Sequence, residues 1–262
     1  RRPVLCLPGL TRNGRDFTTL AAALAGDPET SRDVYAFDCR GRGLSEFDKD
    51  WKNYAVAIEM LDVLDFIARE ELSGAGIVGT SRGGLISMVM ASVQPASLGP
   101  VVLNDIGPVI EWNGLARISA YAGRIPLPGS WREAAKLVRD MNAKAFPSVS
   151  EEQWELVARQ WFNEAHGRPA PGYDKEISRS LSVLDGPMPA LWNQFEAMKH
   201  VPVLVIRGGN SDILSAATVE EMARRHPSLA SITVEGQGHA PLLMDHASID
   251  AIRNFFAATD PV

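Results

Sequence analysis

Gly79-Thr80-Ser81-Arg82-Gly83 separates a short apolar run, residues 75–78, from a second apolar run of helical character, residues 84–91. A G-x-S-x-G sequence between a strand and a helix is typical of a nucleophile elbow, a sharp turn that exposes the serine hydroxyl. Glycine two residues before and after Ser81 lets the flanking segments approach each other, because it has no Cβ. The turn also places the unpaired N–H groups of a helix N-terminus beneath Ser81, which suits a developing oxyanion. The competing interpretation is a tight turn in which Ser81 only caps the helix.

An acid and a histidine follow Ser81, each in a loop after an apolar run. Residues 203–206 are rich in β-branched side chains and predict a buried parallel strand, and Asp212 lies just beyond it. His239 follows the next predicted strand, residues 231–235, in a loop with flanking glycines. Ligands bind at the carboxyl ends of strands in open α/β sheets, which favours a functional role for both residues. The alternatives are an ordinary loop carboxylate or helix cap for Asp212 and a surface histidine for His239.

The three side chains together make up the machinery of a serine nucleophile. Serine attacks only when a base removes its proton, and a carboxylate must hold that base in the right tautomer. The chain order Ser81, Asp212, His239 is the order of the α/β-hydrolases, and it differs from the order in other serine hydrolase folds. The sequence therefore predicts a catalytic triad of these three residues.

The chain resembles the α/β-hydrolase superfamily over nearly its whole length. Residues 5–10 are similar to the family's first oxyanion loop, with Pro8 where the family commonly has histidine. The resemblance implies that the backbone N–H groups of Leu10 and Arg82 are the two oxyanion donors. The D-x-R-G-x-G-x-S pattern at residues 38–45 resembles a family turn in which an aspartate and arginines lock the chain near the oxyanion loop.

Three further segments resemble functional loops of the family. Residues 207–212 are similar to its acid loop and residues 238–241 to its histidine loop. Residues 103–108 follow a predicted strand, and some family members carry the triad acid at this earlier position. Asp105 is therefore the second candidate for the acid, the alternative being that it braces the start of the insertion that follows.

The pattern of predicted elements is that of an α/β protein. Strands and helices alternate, which predicts a doubly wound, mostly parallel sheet. The resemblance implies that this sheet has the α/β-hydrolase fold with an inserted helical cap. Residues 1–106 and 200–262 are assigned to the core and residues 107–199 to the cap. A long helix over residues 54–70 is expected to face the core with apolar residues at helical spacing: Ile58, Leu61, Leu64, Phe66 and Ile67.

The predicted cap breaks the alternation of strands and helices. It reads as short helices at residues 112–121, 131–141, 151–161 and 173–182, separated by prolines and glycines. It also carries five of the six tryptophans. Most of these are expected to pack the cap on the core, and Trp112 and Trp161 are the residues we expect to line the substrate pocket.

Composition narrows the classes of partner. A net charge of −6 argues against nucleic acid or an acidic membrane surface as the main partner. Only two cysteines are present, so no disulfide framework is indicated and a cytoplasmic location is expected. The sequence contains no motif for a metal ion or another cofactor and no apolar run long enough to span a membrane. The oligomeric state is left open.

The expected activity is that of a serine hydrolase on a small molecule. We expect cleavage of a small or medium carboxylic ester or lactone through an acyl-enzyme. The alternatives are a hydrolase of carbon–carbon bonds in ring-cleavage products, a cofactor-free perhydrolase, and a ligand-binding protein with little turnover. Relatives that cleave carbon–carbon bonds often have asparagine before the nucleophile, where this chain has Thr80.

Overall fold

A parallel sheet of six strands is the centre of the computed structural model, which describes residues 1–182 and 188–261. The described residues contain eight strands, of which all but β5 and β6 belong to this sheet. They are, in chain order, β1 (Val4–Leu7), β2 (Val34–Ala36), β3 (Ala75–Thr80), β4 (Leu98–Asn104), β5 (Asn163–Ala165), β6 (Arg168–Ala170), β7 (Val203–Gly208) and β8 (Leu229–Val234). The sheet has the order β2-β1-β3-β4-β7-β8, and β5 and β6 form a separate antiparallel pair. Strands β1 and β4 are buried along their whole length, which explains why they are almost continuously apolar.

Helices cover both faces of this sheet, as the sequence predicts. The α-helices are α1 (Thr18–Ala25), α2 (Val56–Arg69), α3 (Arg82–Val93), α4 (Trp112–Tyr121), α5 (Trp131–Asn142), α6 (Glu151–Trp161), α7 (Arg179–Ser182), α8 (Trp192–Glu196), α9 (Ala216–Arg225) and α10 (His246–Thr259). Met60 of α2 and Ile86 of α3 belong to the apolar core on one face, and Leu20 of α1 and Phe256 of α10 to the core on the other. In the part of the chain that the structure describes, no helix has the length and apolar character needed to cross a bilayer.

An insertion between β4 and β7 contains α4 to α8 and the β5–β6 pair. Helices α4 and α6 have the predicted bounds, but residues 173–182 form a 3-10 turn, Lys175–Ser178, followed by the short α7. The β5–β6 pair and α8 were not predicted. Residues 183–187 of the predicted cap lie outside the described residues.

The insertion is held by the loop after β2, residues 38–45. Gly43 N–H donates to Gly172 O at 2.9 Å, and Asp174 N–H donates to Gly41 O at 2.7 Å. The Tyr54 hydroxyl donates to Asp174 Oδ2 at 2.6 Å, and burial together with this carboxylate raises the pKa of Tyr54 to about 12. These contacts fix the insertion on the side of the sheet where the carboxyl ends of the strands lie.

Candidate active site

Ser81 lies in a strained turn between β3 and α3. Its φ of 50° and ψ of −110° are uncommon for a residue with a side chain. A Cβ at Gly79 would lie 2.7 Å from the backbone of Gly83, and one at Gly83 would lie 2.1 Å from Leu7 O. Both glycines are therefore required by close backbone approach, as the elbow pattern predicts. The Ser81 side chain makes no capping hydrogen bond to α3, which argues against the interpretation as a simple helix cap.

His239 connects Ser81 to a buried carboxylate. Its Nε2 lies 2.9 Å from Ser81 Oγ, and its Nδ1 lies 2.8 Å from Asp105 Oδ2. The histidine side chain is 7% exposed and that of Asp105 is fully buried. Because an ionised carboxylate only accepts hydrogen bonds, the ring carries its proton on Nδ1, and Nε2 is left to accept from the Ser81 hydroxyl. This tautomer is the one that a general base for serine requires.

Asp105 is held in place by groups from β7 and the loop beyond it. Its backbone N–H donates to Ile206 O at 2.7 Å, continuing the pairing of β4 with β7. Its Oδ1 accepts from Gly208 N–H at 2.8 Å, and its Oδ2 accepts from the Ser211 hydroxyl at 2.6 Å. Such donors offset the cost of burying an anion and fix the orientation of the carboxylate.

The prediction that Asp212 lies beside His239 is wrong. Both Asp212 oxygens accept from Arg117 of α4, at 2.6 and 2.8 Å, and the side chain is 37% exposed. The hydrogen bond from Arg117 holds the pKa of Asp212 below its ordinary value, against the opposing effect of burial. The physical reason is position: Asp105 follows the last residue of β4 directly, whereas Asp212 lies four residues beyond the end of β7 and reaches the insertion instead.

The two predicted oxyanion donors are linked by a buried ion cluster that sequence analysis missed. Arg42 Nε donates to Leu10 O, and Arg42 Nη1 lies 2.9 Å from Glu59 Oε1. Glu59 Oε2 accepts from Arg82 Nε at 2.6 Å. Burial by itself raises the pKa of Glu59, but the two guanidinium groups outweigh it and hold the pKa below its ordinary value. One carboxylate thereby couples the loop of Leu10 to the residue after Ser81.

Two cavities meet at Ser81. The larger, of about 390 Å³, has a mostly apolar wall that includes Leu85, Ile106 and Leu115. The smaller, of about 100 Å³, has a polar and aromatic wall. Leu10, Ser81 and Ile118 belong to the walls of both cavities. A substrate whose reacting carbonyl lies at Ser81 would extend one part into each.

The two tryptophans predicted for the pocket differ in position. Trp161, at the end of α6, lines the smaller cavity. Trp112 lines neither cavity, because it begins α4 on the outer surface, where it is 43% exposed. Within residues 1–182 and 188–261, no three His, Cys, Asp or Glu side chains are grouped closely enough to hold a metal ion.

Comparison with known proteins shows the family to which the chain belongs. A model of the alpha/beta hydrolase family matches residues 4–251. The chain is 34% identical to a 3-hydroxybutyrate-oligomer hydrolase of Cupriavidus necator, over 97% of this chain and 88% of that one. It is 26% identical to a 2-(acetamidomethylene)succinate hydrolase of Mesorhizobium japonicum, over 97% and 88%. A solved alpha/beta hydrolase from Novosphingobium aromaticivorans is 38% identical and superimposes with a TM-score of 0.90, over 98% of this chain and 90% of that one.

Proposed function

This chain belongs to the alpha/beta hydrolase family and is a hydrolase, and on that premise we propose that it cleaves small or medium carboxylic esters or lactones through an acyl-enzyme at Ser81. The observation that carries the proposal is the hydrogen-bonded series Asp105, His239, Ser81, with contacts of 2.8 and 2.9 Å, at the junction of two cavities. Asp105 takes the role that the sequence assigned to Asp212.

The reaction follows from the roles of these groups. His239 Nε2 accepts the proton of Ser81 as its oxygen attacks the carbonyl, and the Asp105 carboxylate stabilises the imidazolium that forms. The backbone N–H groups of Leu10 and Arg82 bind the oxyanion. His239 then protonates the departing alkoxide, and in the second half-reaction it activates the water that releases the acid. A general base contributes roughly 10²–10⁴ in rate, and each oxyanion donor roughly 10²–10³.

Residues 107–199 act in this proposal as a cap that shapes the substrate pocket. Ile118 of α4 belongs to both cavity walls, and Trp154 and Trp161 of α6 belong to the smaller one. The apolar cavity suits a short or medium acyl chain. The Cupriavidus necator relative carries a name that gives oligomers of 3-hydroxybutyrate as its substrate, and we place esters of short hydroxy acids first among those to test.

Hydrolysis of p-nitrophenyl esters of increasing acyl length tests this function. Wild-type protein is expected to turn over the shorter members, and Ser81→Ala is expected to retain less than ~1% of that rate, because loss of a triad serine removes most of the catalysis. Ser87→Ala is the matched control, since this serine is buried on α3, the helix that follows Ser81, and among the described residues its hydroxyl donates to Gly83 O. Its activity is expected to stay near that of the wild type.

Two results would count against the proposal. Turnover by Ser81→Ala above ~1% of wild type would remove Ser81 from the nucleophile role. A wild-type protein that is folded but inert on every ester and lactone would remove the substrate class and favour carbon–carbon bond hydrolysis or ligand binding.

A further inference from the structure

The smaller cavity beside Ser81 is lined by residues whose hydrogen-bond donors the mechanism above does not use. Its wall includes Arg12, Asp16, Gln160 and Trp161. A Cβ placed at Gly9 would lie 3.4 Å from Arg12 Cγ and 3.9 Å from Ser81 Cβ. The stem of Arg12 and the nucleophile therefore lie on either side of Gly9 in one cavity, within reach of a single small molecule.

Asp16 and Trp161 hold the guanidinium group of Arg12 in a position that leaves one of its nitrogens without a hydrogen-bond partner among the described residues. Its Nε donates to Asp16 Oδ2 at 2.8 Å, and its Nη2 donates to Asp16 Oδ1. The guanidinium lies 4.4 Å from the ring centroid of Trp161, a stacked position that favours a cation. Its Nη1 is buried and has no hydrogen-bond partner among the residues that the structure describes. The side chain is 14% exposed, so water reaches it poorly.

Gln160 supplies a second unused donor in the same wall. It is 4% exposed, and its Nε2 finds no partner within residues 1–182 and 188–261. Its backbone oxygen accepts from Asn13 Nδ2 at 2.8 Å, which ties the end of α6 to the loop after β1. Buried donors without partners destabilise a fold, and their presence at a cavity is expected where a ligand supplies the acceptor.

We propose that Arg12 and Gln160 form a binding subsite for a free carboxylate in the leaving group of the substrate. This inference rests on the ester hydrolysis proposed above and specifies it: the preferred substrate is an ester of a short hydroxy acid whose carboxyl group is free. The acyl part lies in the apolar cavity, and the hydroxy acid lies in the smaller one. Formation of the Ser81 ester breaks the bond to the terminal hydroxy acid, which departs as His239 protonates its alkoxide, and water then releases the acyl part from Ser81.

The chemistry of the cavity favours a carboxylate over other anions. A cationic donor and an amide donor match the two oxygens of a carboxylate, and guanidinium groups bind such planar anions well. Asp16 already balances part of the Arg12 charge, so a doubly charged phosphate would meet a carboxylate at close range. A cavity of about 100 Å³ accommodates a single short unit, which sets the cleavage position at the last ester bond.

The linear dimer of 3-hydroxybutyrate and its terminal carboxamide are the probes that test the subsite. The two molecules differ only at the carboxyl end, where the amide is uncharged and has a donor nitrogen in place of one acceptor oxygen. Wild-type protein is expected to show a kcat/KM about 10- to 100-fold higher for the acid than for the amide, from the strength of a charge-assisted hydrogen bond. Arg12→Met is expected to abolish this preference by lowering kcat/KM for the acid, while hydrolysis of the carboxamide stays within about threefold of wild type. Arg124→Met, an exposed arginine in the turn after α4, is the control for the loss of a charge.

Gln160→Leu provides a second variant with a readout independent of turnover. Replacing a buried donor that has no partner by an apolar group is expected to hold or raise the melting temperature, while the preference for the acid falls. Binding is measured in Ser81→Ala protein, where the acid is expected to raise the melting temperature more than the amide does.

The outcomes separate this inference from the proposed function. Equal kcat/KM for acid and amide in wild type overturns the subsite even if esters are hydrolysed. Equal losses on the acid and on the carboxamide in Arg12→Met also overturn it, because they indicate a structural role. Equal thermal shifts by acid and amide in Ser81→Ala overturn it whatever reaction the protein performs. By contrast, persistent activity of Ser81→Ala overturns the proposed function.

Discussion

Replacing Asp105 by asparagine is expected to remove most of the activity, whereas the same change at Asp212 is not. Asp105 has a φ of 56°, a left-handed conformation that asparagine adopts as readily as aspartate, so the backbone is expected to stay in place. The amide oxygen can still accept from Gly208 N–H. The change is therefore confined to the atom that faces His239 and Ser211.

The size of the effect follows from the hydrogen bond at that atom. An amide nitrogen in place of Asp105 Oδ2 donates rather than accepts, so His239 Nδ1, 2.8 Å away, must become an acceptor. The ring proton then lies on Nε2, and His239 loses the ability to accept the Ser81 proton. A wrong tautomer of this kind costs roughly 10⁴ in kcat, which corresponds to about 5.5 kcal/mol of barrier.

The loss expected for Asp212→Asn is far smaller. Its partner Arg117 is 43% exposed, and ion pairs of such exposure contribute about 0–1 kcal/mol. Activity is expected within about fivefold of wild type. Initial rates on p-nitrophenyl butyrate, with a thermal melt of each variant, compare the two. A loss of 10³ or more in Asp212→Asn, with Asp105→Asn near wild type, would refute the assignment of Asp105 as the acid.

The remaining predictions concern stability. Glu59→Gln leaves buried Arg42 without its charge partner and is expected to lower the free energy of unfolding by about 3–5 kcal/mol in urea at pH 7. Because the pKa of Glu59 is lower in the folded than in the unfolded protein, its contribution to stability is complete above the unfolded pKa and disappears as the pH falls through the folded pKa. If the free energy of unfolding of Glu59→Gln decreases below about pH 4 as steeply as that of wild type, this reasoning is contradicted. Gly83→Ala drives a Cβ against Leu7 O and is expected to cost about 3 kcal/mol, measured by thermal melting. The control is Gly129→Ala, where a Cβ would lie 3.3 Å from the flexible end of the Glu133 side chain; equal melting temperatures would contradict the elbow geometry.

The sequence predicted the frame of the fold because its signals are local. Helices α4 and α6 have the predicted bounds, since apolar periodicity, caps and prolines define each within a few residues. The elbow was predicted for the same reason: it depends on five consecutive residues. Short elements without a clear apolar pattern were missed, as with the β5–β6 hairpin, which has only three residues in each strand, most of them not buried.

Helix α2 illustrates what periodicity does not predict. Leu61, expected to face the core, is half exposed, and the buried positions of α2 include Glu59. A carboxylate on the inner face of a helix contradicts a hydrophobic pattern, and it is stable there only because Arg42 and Arg82 arrive from two other segments. No signal in the sequence of α2 indicates those partners. The D-x-R-G-x-G-x-S pattern predicted Arg42 near the oxyanion loop, but not the carboxylate that joins it to Arg82.

The choice between Asp105 and Asp212 shows why chain order is a weak test. Both residues lie between Ser81 and His239 in the sequence, so the order Ser, Asp, His is satisfied by either. Strands β4 and β7 are neighbours, and the loop of His239 passes over the end of β7, so either strand end lies near the imidazole. The two acids differ in whether the carboxylate is buried and in which groups donate hydrogen bonds to it.

A carboxylate that orients a histidine must itself be fixed and shielded from water, since a mobile or hydrated one would hold the ring poorly. Asp105 meets this requirement because β7 supplies Gly208 N–H and the following loop supplies the Ser211 hydroxyl. Asp212, one residue after Ser211, has Arg117 as its partner and is exposed. The loop that resembles the acid loop of the family therefore supports the acid, through Ser211, and ties α4 to the sheet through Asp212. Ser211→Ala removes one donor to the Asp105 carboxylate and is expected to lower kcat while KM stays unchanged. This result would show that the loop supports the acid through Ser211.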